Sequence, residues 1–299
     1  MFKNLKERPN MNQTNRRAFL KKAGVATIAS VLPNLAKAAV TPPRVVVIGG
    51  GFGGATVSKY LRLWGSPINV TMIEPQPLHY SCILSNGVVT GDYGLDKVTL
   101  NYDALQGRHG VEWVQGKAVG IDPDSHLVTV KTDGGRTKFS YDKLVVSPGV
   151  DFVAPLGNYK PAKTPHAWKA GSQTTNLQRK LRRMRSGGAF VMRIPKAPYR
   201  CPPGPYERAC VVADFLKRKN PASKVFVLDE NPKIMAEPVT FGNAFNNLYS
   251  DILEYHTNVQ VAEIDSSAGI LSTNLGPIVG DVINFIPDHK AGKLLHKAG

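Results

Sequence analysis

The chemistry in this sequence centres on Cys201, which follows Arg200 and lies in a proline-rich stretch just ahead of a predicted helix. A neighbouring cation and a helix N-terminus both favour the thiolate of a cysteine, the form that attacks sulfur. Glu207 lies about one turn into that helix, where it is either a proton acceptor or a carboxylate that favours the helix dipole. The residues leave both roles open, with an inert Cys201 as the alternative to a reactive one.

Two further cysteines lie in different surroundings. Cys82 is in PQPLHYSCILSNGVVTGDYG, a stretch rich in turn residues that predicts irregular structure. Its residue type alone favours a small buried hydrophobe. Cys210 comes nine residues after Cys201 on the predicted helix. A disulfide needs Cα atoms within about 7 Å, so we interpret Cys210 as a buried helix cysteine and not as the partner of Cys201.

A glycine-rich turn is the strongest positioning element. A β-branched strand, Val45–Ile48, runs into Gly49-x-Gly51-x-x-Gly54 and then an amphipathic helix over 55–64. A second strand, 69–73, then leads to Glu74. Glycines at this spacing form a tight turn and let a pyrophosphate approach the helix N-terminus, and an acid about 20 residues later accepts hydrogen bonds from a ribose. The pattern predicts a dinucleotide site.

A second unit repeats this order without the glycines. A helix over 171–185, a strand over 189–194, a helix over 206–217 and a strand over 224–228 that leads to Asp229 are predicted. Prolines without N–H groups fill the loop that would cradle phosphates, so we infer that this unit kept the fold and lost a nicotinamide cofactor. The prolines are residues 195, 198, 202, 203 and 205.

The elements together predict an α/β fold of two Rossmann-like domains with parallel sheets and a small antiparallel meander. The short strands that form one sheet strand, the meander and the return strand are 111–115, 118–121, 126–131, 137–140 and 143–146. The expected domains are a leader (1–38), the first part of the dinucleotide-binding domain (39–155), a second Rossmann-like domain without a phosphate loop (156–277) and the start of a return to the first domain (278–299).

The first 38 residues have the features of a twin-arginine export signal. Arg16 and Arg17 precede a short apolar run, and Ala36-Lys37-Ala38 offers a cleavage site. An amphipathic helix or a membrane anchor is the alternative, but the run is too short to span a bilayer. The expected location is the periplasm, as a soluble protein without stable membrane insertion. Export suits a chain that acquires its cofactor in the cytoplasm and is carried folded.

The net charge indicates which classes of partner the protein binds. The leader holds eight Lys/Arg and one acid, +7 of the formal +16, which leaves +9 on the mature chain. An exported protein rarely meets nucleic acid, so this excess favours small anions or an acidic protein partner. The densest basic run, 179–185, is best interpreted as a solvated helix face. Seven histidines without ligand spacing predict no metal site.

Six motifs follow one another along the chain: GGGFGGATVSKYL, the acid of IEP, YSCILSNGVVTGD, PHAWKAG, RCPPGPYERA and DVINFIP. In this order and at these intervals they resemble the flavoprotein subunit of flavocytochrome c sulfide dehydrogenase. More distantly the chain is similar to sulfide:quinone oxidoreductases and pyridine nucleotide–disulfide reductases. The meander and the return strand YDKLVVSPG also resemble the FAD domain of that superfamily, which favours FAD over NAD.

The resemblance implies roles for individual residues. Cys82 lies where the family forms a covalent thioether to the flavin, and Cys201 where the family has one half of a redox-active disulfide. Sulfide would attack that disulfide, two electrons would pass to FAD, and a c-type cytochrome subunit would accept them singly. This chain has no CxxCH, so the haem is expected on the partner. Trp168 and His166 are expected to contact the flavin.

The sequence also departs from the family's pattern. The second redox cysteine, part of the flavin lid and the C-terminal interface domain lie in a portion that we expect this chain to lack. Two alternatives to a sulfide dehydrogenase therefore stay open. One is an inactive flavin-binding remnant or accessory module, and the other is a sulfide:quinone oxidoreductase.

Overall fold

The computed structural model describes residues 41–65 and 67–297, and its strands follow in chain order. They are β1 (Arg44–Ile48), β2 (Asn69–Glu74), β3 (His79–Tyr80), β4 (Thr99–Leu100), β5 (Glu112–Gln115), β6 (Lys117–Asp122), β7 (Leu127–Thr132), β8 (Gly135–Ser140), β9 (Lys143–Val146), β10 (Val150–Phe152), β11 (Gly157–Asn158), β12 (Ala189–Ile194), β13 (Lys224–Asp229), β14 (Leu253–His256), β15 (Val261–Asp265), β16 (Ile270–Thr273), β17 (Gly276–Val279), β18 (Val282–Phe285) and β19 (His289–Ala291).

Six α-helices lie between these strands, together with short helical turns of other kinds. The α-helices are α1 (Phe52–Trp64), α2 (Ser85–Thr90), α3 (Asp103–His109), α4 (Ser172–Arg182), α5 (Gly204–Lys219) and α6 (Pro238–Asn243). Two 3₁₀ turns, Leu95–Val98 and Leu295–Lys297, and a π-helical turn, Ala244–Leu248, complete the set.

The first parallel sheet has the order β5-β2-β1-β9. Its central strands are apolar on both faces because each face is covered. On one face Val47 and Met72 pack with Tyr102, and on the other Ile48 and Ile73 pack with the antiparallel meander β6-β7-β8. This sheet holds the glycine turn at the carboxyl end of β1.

The second parallel sheet has the order β14-β13-β12-β18. Apolar residues of α4 and α5, Leu177 and Val212 among them, cover one face of β12. Leu271, from the antiparallel strands β15-β16-β17, lies in the cluster that covers the other face. The predicted α/β fold with two parallel sheets and an antiparallel meander is confirmed.

The connection between the two sheets includes a short ladder in which β10 pairs antiparallel with β19. Strand β18, Val282–Phe285, pairs with β12, so the second sheet extends past residue 277. The domain boundaries proposed from the sequence stay predictions. The leader predicted over 1–38 lies outside the described residues and stays a prediction.

One prediction of local structure is wrong. The stretch that contains Cys82 was expected to lack regular elements, but it includes β3 and helix α2. All six residues of α2 are buried, and Gly91 ends it in the left-handed conformation at φ 84°. Tertiary burial against α4 and α5 stabilises a sequence that has little helix propensity of its own.

Candidate active site

The glycine turn after β1 has no room for side chains at two of its positions. Gly49 has φ +99°, and a Cβ there would lie 2.1 Å from the carbonyl oxygen of Ser147. A Cβ on Gly54 would lie 1.8 Å from the carbonyl oxygen of Gly49. Around Gly51 the nearest described atom is on the His79 ring, 3.8 Å from an added Cβ, so this part of the turn is open. The turn thus has the close packing and the open approach that a pyrophosphate site needs.

Glu74 lies at the carboxyl end of β2 beside this turn. Its carboxylate accepts hydrogen bonds from the backbone N–H groups of Gly50 at 2.8 Å and Gln76 at 2.9 Å. A carboxylate offers about four lone-pair positions, so two remain for a ligand. Burial and the Glu74 charge also raise the pKa of the neighbouring Tyr102, which keeps that phenol neutral.

A cavity of about 500 Å³ opens at this edge of the sheet, within the range typical of small-molecule and cofactor pockets. Gly49 and Glu74 line it together with Lys117, Pro148 and Lys169. The crevice outside the carboxyl ends of parallel strands is where open α/β sheets bind nucleotides. Closely packed glycines, a carboxylate with free lone pairs and lysines fit a dinucleotide.

Cys82 precedes α2 by three residues, and its carbonyl oxygen accepts the Ser85 N–H at 3.2 Å and the Ser85 hydroxyl at 2.7 Å. The thiol is half-buried and free. The next two residues, Ile83 and Leu84, are large apolar side chains that are 60% and 59% exposed. Cys82 therefore begins an apolar and accessible edge of the site.

Cys201 has the same relation to α5, because its carbonyl oxygen accepts the Gly204 N–H at 3.0 Å. The residue is exposed and left-handed, with φ +60°. Partial desolvation raises the pKa of its thiol above the ordinary value, and Cys82 and Glu207 raise it further. The Gly204 N–H and Arg200 lower it, as expected, but the net shift is upward. The prediction of an environment that favours the thiolate overall is wrong for the chain in this structure.

Cys210 packs half-buried against the core of the second domain, and burial raises the pKa of its thiol to about 11. Cys82, Cys201 and Cys210 are all free thiols in the structure. Cys210 therefore has the character of a structural cysteine, as the sequence predicted.

Asn86 joins the two cysteine segments. From α2, its side-chain amide donates to the Glu207 carboxylate at 2.9 Å and to the Gly204 carbonyl oxygen at 3.3 Å. The buried Arg208 donates to the Asn86 side-chain oxygen at 2.9 Å. The N-terminal ends of α2 and α5, each with a cysteine three residues ahead, are thus held against each other.

Trp168 forms the wall beside Cys201. Its indole N–H donates to the Arg200 carbonyl oxygen at 3.1 Å, and the Arg200 guanidinium donates to the Trp168 carbonyl oxygen. A Cβ added to Gly204 would lie 3.0 Å from both the Cys201 sulfur and the Trp168 ring. Gly204 therefore lets the ring and the sulfur lie side by side.

Two buried donors beside this loop lack a partner among the described residues. His289 accepts the Arg200 N–H through Nδ1 at 2.8 Å, and burial lowers its pKa to about 4, so the neutral ring carries its proton on Nε2. That Nε2 and the Arg200 Nε are both buried and unsatisfied. Buried donors without a partner are uncommon in native structures, and these two are available to hydrogen-bond a polar group or a water.

The ribose-binding position of the second domain is filled by protein. Asp229, at the end of β13, is fully buried and accepts four hydrogen bonds. One oxygen accepts the hydroxyls of Tyr206 and Tyr255, both at 2.8 Å, and the other accepts both N–H groups of Asn231, at 2.9 and 2.7 Å. All its lone pairs are used, which supports the inference that this domain does not hold a nicotinamide nucleotide.

No three His, Cys, Asp or Glu side chains among the described residues come together as a metal site, and none of the helices there is long and apolar enough to cross a bilayer. The basic run, predicted as a helix face, begins in the last turn of α4 and continues past the end of that helix at Arg182. Arg179, Lys180, Arg183 and Arg185 border a groove of about 540 Å³.

Comparison with known proteins supports an oxidoreductase of one family. The family model described as the central part of the flavoprotein chain of sulfide dehydrogenase (flavocytochrome c) matches residues 174–287. The pyridine nucleotide-disulphide oxidoreductase model matches residues 43–187. The chain is also 53% identical over 45 residues to the sulfide dehydrogenase (flavocytochrome c) flavoprotein chain of Chlorobaculum thiosulfatiphilum, covering 94% of that sequence and 15% of this chain. The chain belongs to the flavocytochrome c sulfide dehydrogenase flavoprotein family.

A related class extends over more of the chain. The sulfide-quinone reductase of Aquifex aeolicus is 25% identical over 269 residues, which cover 86% of this chain and 61% of that protein. The crystal structure of the sulfide:quinone oxidoreductase from Aquifex aeolicus superimposes with a TM-score of 0.73 at 22% identity, over 86% of this chain and 61% of that one. The chain thus spans about three fifths of the length of this relative.

The flavocytochrome c sulfide dehydrogenase family predicted from the motifs is therefore confirmed, and it is a family of flavoprotein oxidoreductases. The structure brings its predicted site residues into two groups. Gly49, Gly51, Gly54 and Glu74 meet at the end of the first sheet, and Cys82, Trp168, Cys201 and Glu207 meet where α2 contacts α5. Their individual roles stay predictions.

Sequence reasoning missed Asn86 and Arg208, which connect the second group. Asn86 lies in the stretch that was expected to be irregular, so nothing marked it as a helix contact. Arg208 is in a motif that the sequence did single out, RCPPGPYERA, but an arginine on an exposed-looking helix start is ordinarily a surface residue.

Proposed function

We propose that this chain oxidises sulfide at Cys201, with FAD as the electron acceptor and a c-type cytochrome subunit as the next carrier. The observation that carries the proposal is the meeting of the Cys82 and Cys201 segments, held by Asn86 between Gly204 and Glu207. Family membership supports the reaction class, and this geometry supports the choice of these residues.

The residues that would hold FAD are those at the end of the first sheet. Gly49, Gly51 and Gly54 leave backbone at the N-terminus of α1 for the pyrophosphate, and Glu74 has lone pairs for a ribose. Cys82 would carry the covalent thioether proposed from the family. Bound FAD would supply a two-electron oxidant.

Oxidation of HS⁻ to the level of elemental sulfur releases one proton and two electrons. The Cys201 thiolate would form a sulfur–sulfur bond to HS⁻ as the S–H bond breaks, with FAD as the acceptor of the two electrons, because Cys201 is exposed on a proline-flanked loop. Glu207 would accept the proton, since its carboxylate is exposed and Asn86 fixes one of its oxygens. Trp168 would flank the sulfur that binds at Cys201.

The test is a spectrum and an intact mass of the exported chain, taken before and after sulfide. Yellow colour that stays with the acid-denatured protein, with a mass gain of one FAD, is expected, followed by bleaching on sulfide addition. A chain that keeps its flavin and does not bleach would be the inactive module, and a colourless chain would remove the proposal altogether.

A second candidate is a quinone as the electron acceptor, which the relationship to the Aquifex aeolicus sulfide-quinone reductase favours. Steady-state assays with sulfide and either cytochrome c or a soluble quinone separate the two. We propose the cytochrome, and faster reduction of quinone would replace it with the second candidate.

The proposed location is the periplasm, reached by the twin-arginine route. Replacing Arg16 and Arg17 by lysine is expected to leave the chain in the cytoplasm, as measured by cell fractionation. Export of that variant at the normal level would contradict the proposal.

A further inference from the structure

Arg208 is the most deeply buried cation of the described chain, with 1% of its surface exposed. Its guanidinium donates to the side-chain oxygens of Asn86 at 2.9 Å and Asn284 at 3.1 Å. It also donates to the backbone carbonyl oxygens of His166 and Ala167, both at 2.9 Å. Every one of these acceptors is neutral.

A buried arginine without a carboxylate partner is unusual, because desolvation of the charge costs several kcal/mol and is normally offset by an ion pair. Among the described residues Arg208 forms no ion pair, and the neighbouring Glu207 directs its carboxylate to Asn86 instead. Burial lowers the pKa of Arg208 only to about 10, so the group stays charged at neutral pH. The fold therefore keeps a positive charge here without a direct ion pair, and the Glu207 carboxylate on the other side of Asn86 raises the pKa of Arg208.

The segments that Arg208 joins are those of the thiol site. Asn86 belongs to the helix that follows Cys82, and His166 and Ala167 immediately precede Trp168. Arg208 itself lies on α5, one turn after Gly204, so it faces the same side as the turn that carries Cys201. A planar donor with a fixed fork geometry sets the relative positions of all three segments.

The Trp168 ring connects the charge to the turn that carries Cys201. The Arg208 guanidinium carbon lies 4.7 Å from the centroid of the Trp168 ring, and the edge of that ring lies beside the Cys201 sulfur at Gly204. The negative charge of a Cys201 thiolate favours the protonated guanidinium. Such coupling is reciprocal, so the guanidinium favours the thiolate by the same free energy.

We propose that Arg208 is a positioning residue of the thiol site, which fixes the Cys82, Trp168 and Cys201 segments and supplies a buried positive charge that stabilises the Cys201 thiolate. The inference rests on the proposed function only in taking Cys201 as the reactive thiol. It is tested without sulfide, flavin reduction or an electron acceptor, so its failure is separate from a failure of that function.

The other charged and titratable groups around this pair act in both directions. Glu207 and Cys82 oppose the thiolate, whereas Arg200 favours it. The remaining groups that interact with Cys201 or Arg208 are Tyr199 and His166. Because Arg200 also favours the Cys201 thiolate, the experiment must change Arg208 and leave Arg200 in place.

The experiment is the pH dependence of Cys201 alkylation by iodoacetamide in the full chain, with the modified cysteine identified by peptide mass. Arg208→Gln is expected to raise the pKa of Cys201 and to slow its alkylation at pH 8, about tenfold for each unit of pKa. Arg208→Lys keeps the positive charge, so it is expected to retain most of the rate of Cys201 alkylation. This variant is expected to unfold at a lower urea concentration. Arg218→Gln is the matched control, because it removes a cation of the same helix that lies in an exposed ion pair with Asp214.

An unchanged alkylation profile in folded Arg208→Gln would overturn the proposal and leave Arg208 a structural residue. If that variant does not fold, Asn284→Asp provides the second measurement, since it puts a carboxylate on the guanidinium in place of the amide oxygen. Neutralising the charge in this way is expected to slow Cys201 alkylation in the same direction. No slowing in folded Asn284→Asp would equally overturn the charge effect.

Discussion

Asn86 and Glu207, 121 residues apart in the chain, are joined by a 2.9 Å hydrogen bond from the side-chain amide to the carboxylate. An asparagine side chain suits this position, because its NH₂ group donates to Glu207 and Gly204 and its oxygen accepts from Arg208. One side chain thus satisfies an acid, a helix carbonyl group and a buried cation.

The first prediction concerns Asn86 itself. Asn86→Ala leaves the Arg208 Nε without its acceptor, and a buried unsatisfied donor costs about 1–3 kcal/mol of unfolding free energy. Urea unfolding measures the loss. Asn101→Ala is the control, since it removes an exposed side chain that bonds only Asp103, and it is expected to change stability by less than about 0.5 kcal/mol. Equal losses in both variants would contradict the role given to Asn86.

The second prediction concerns the glycine turn. Gly54→Ala would place a Cβ 1.8 Å from the Gly49 carbonyl oxygen, so we expect an unfolded or flavin-free chain. Gly107→Ala is its matched control, because Gly107 lies within helix α3 and an added Cβ there meets no atom within 4 Å. That substitution is expected to raise stability by about 0.5–1 kcal/mol. Thermal unfolding and bound flavin absorbance check both, and normal flavin content in Gly54→Ala would refute the argument.

The third prediction concerns Cys82. Cys82→Ala is expected to abolish flavin that survives acid denaturation, while Cys210→Ala retains it, because Cys210 packs in the second core. Intact mass of the denatured chains gives the answer. Covalent flavin in Cys82→Ala would assign the attachment to another residue.

The fourth prediction concerns pH. Burial and the nearby Arg208 lower the pKa of His166 from 6.5 to about 4, and its Nδ1 accepts the Trp168 N–H at 2.9 Å. Between these values the unfolded chain binds more protons than the folded one, so stability falls as pH is lowered from about 6.5 to 4. The loss is on the order of 3 kcal/mol for this residue.

His166→Asn is expected to flatten that part of the pH profile, as measured by urea unfolding at pH 7, 5.5 and 4.5. His256→Asn is the control, since His256 is partly exposed and lies 3.8 Å from Glu254. A profile of the same slope in the wild type and in His166→Asn would rule out this origin of acid sensitivity.

Sequence patterns predicted the regular elements well where apolar periodicity was strong. Strand β12 over Ala189–Ile194 and strand β9 over Lys143–Val146 have the predicted bounds, because a buried parallel strand needs a continuous apolar run. Helix α2 was missed, since its stability comes from burial of Asn86 and its neighbours and not from local propensity. The glycine turn was recognisable because its requirement is steric and local.

Sequence patterns could not predict the contacts between distant segments. Arg208 has four neutral acceptors drawn from three separate parts of the chain, and no spacing rule connects them. The direction of the Cys201 pKa shift was wrong for a related reason. The favourable neighbours are adjacent in sequence, whereas Cys82 and much of the desolvation come from elsewhere in the fold.

The hydrogen bonds around Asp229 affect how readily the second domain could be engineered, or could evolve, to bind a nicotinamide nucleotide. Rebuilding a glycine loop between β12 and α5 would restore phosphate binding but not ribose binding. The Asp229 carboxylate that a ribose requires already accepts hydrogen bonds from Tyr206, Tyr255 and Asn231. Tyr206 is in addition fully buried in the core, so removing it would leave a cavity. A return to nicotinamide binding would therefore require several simultaneous replacements, each destabilising alone, which makes the change to the second domain hard to reverse by single steps.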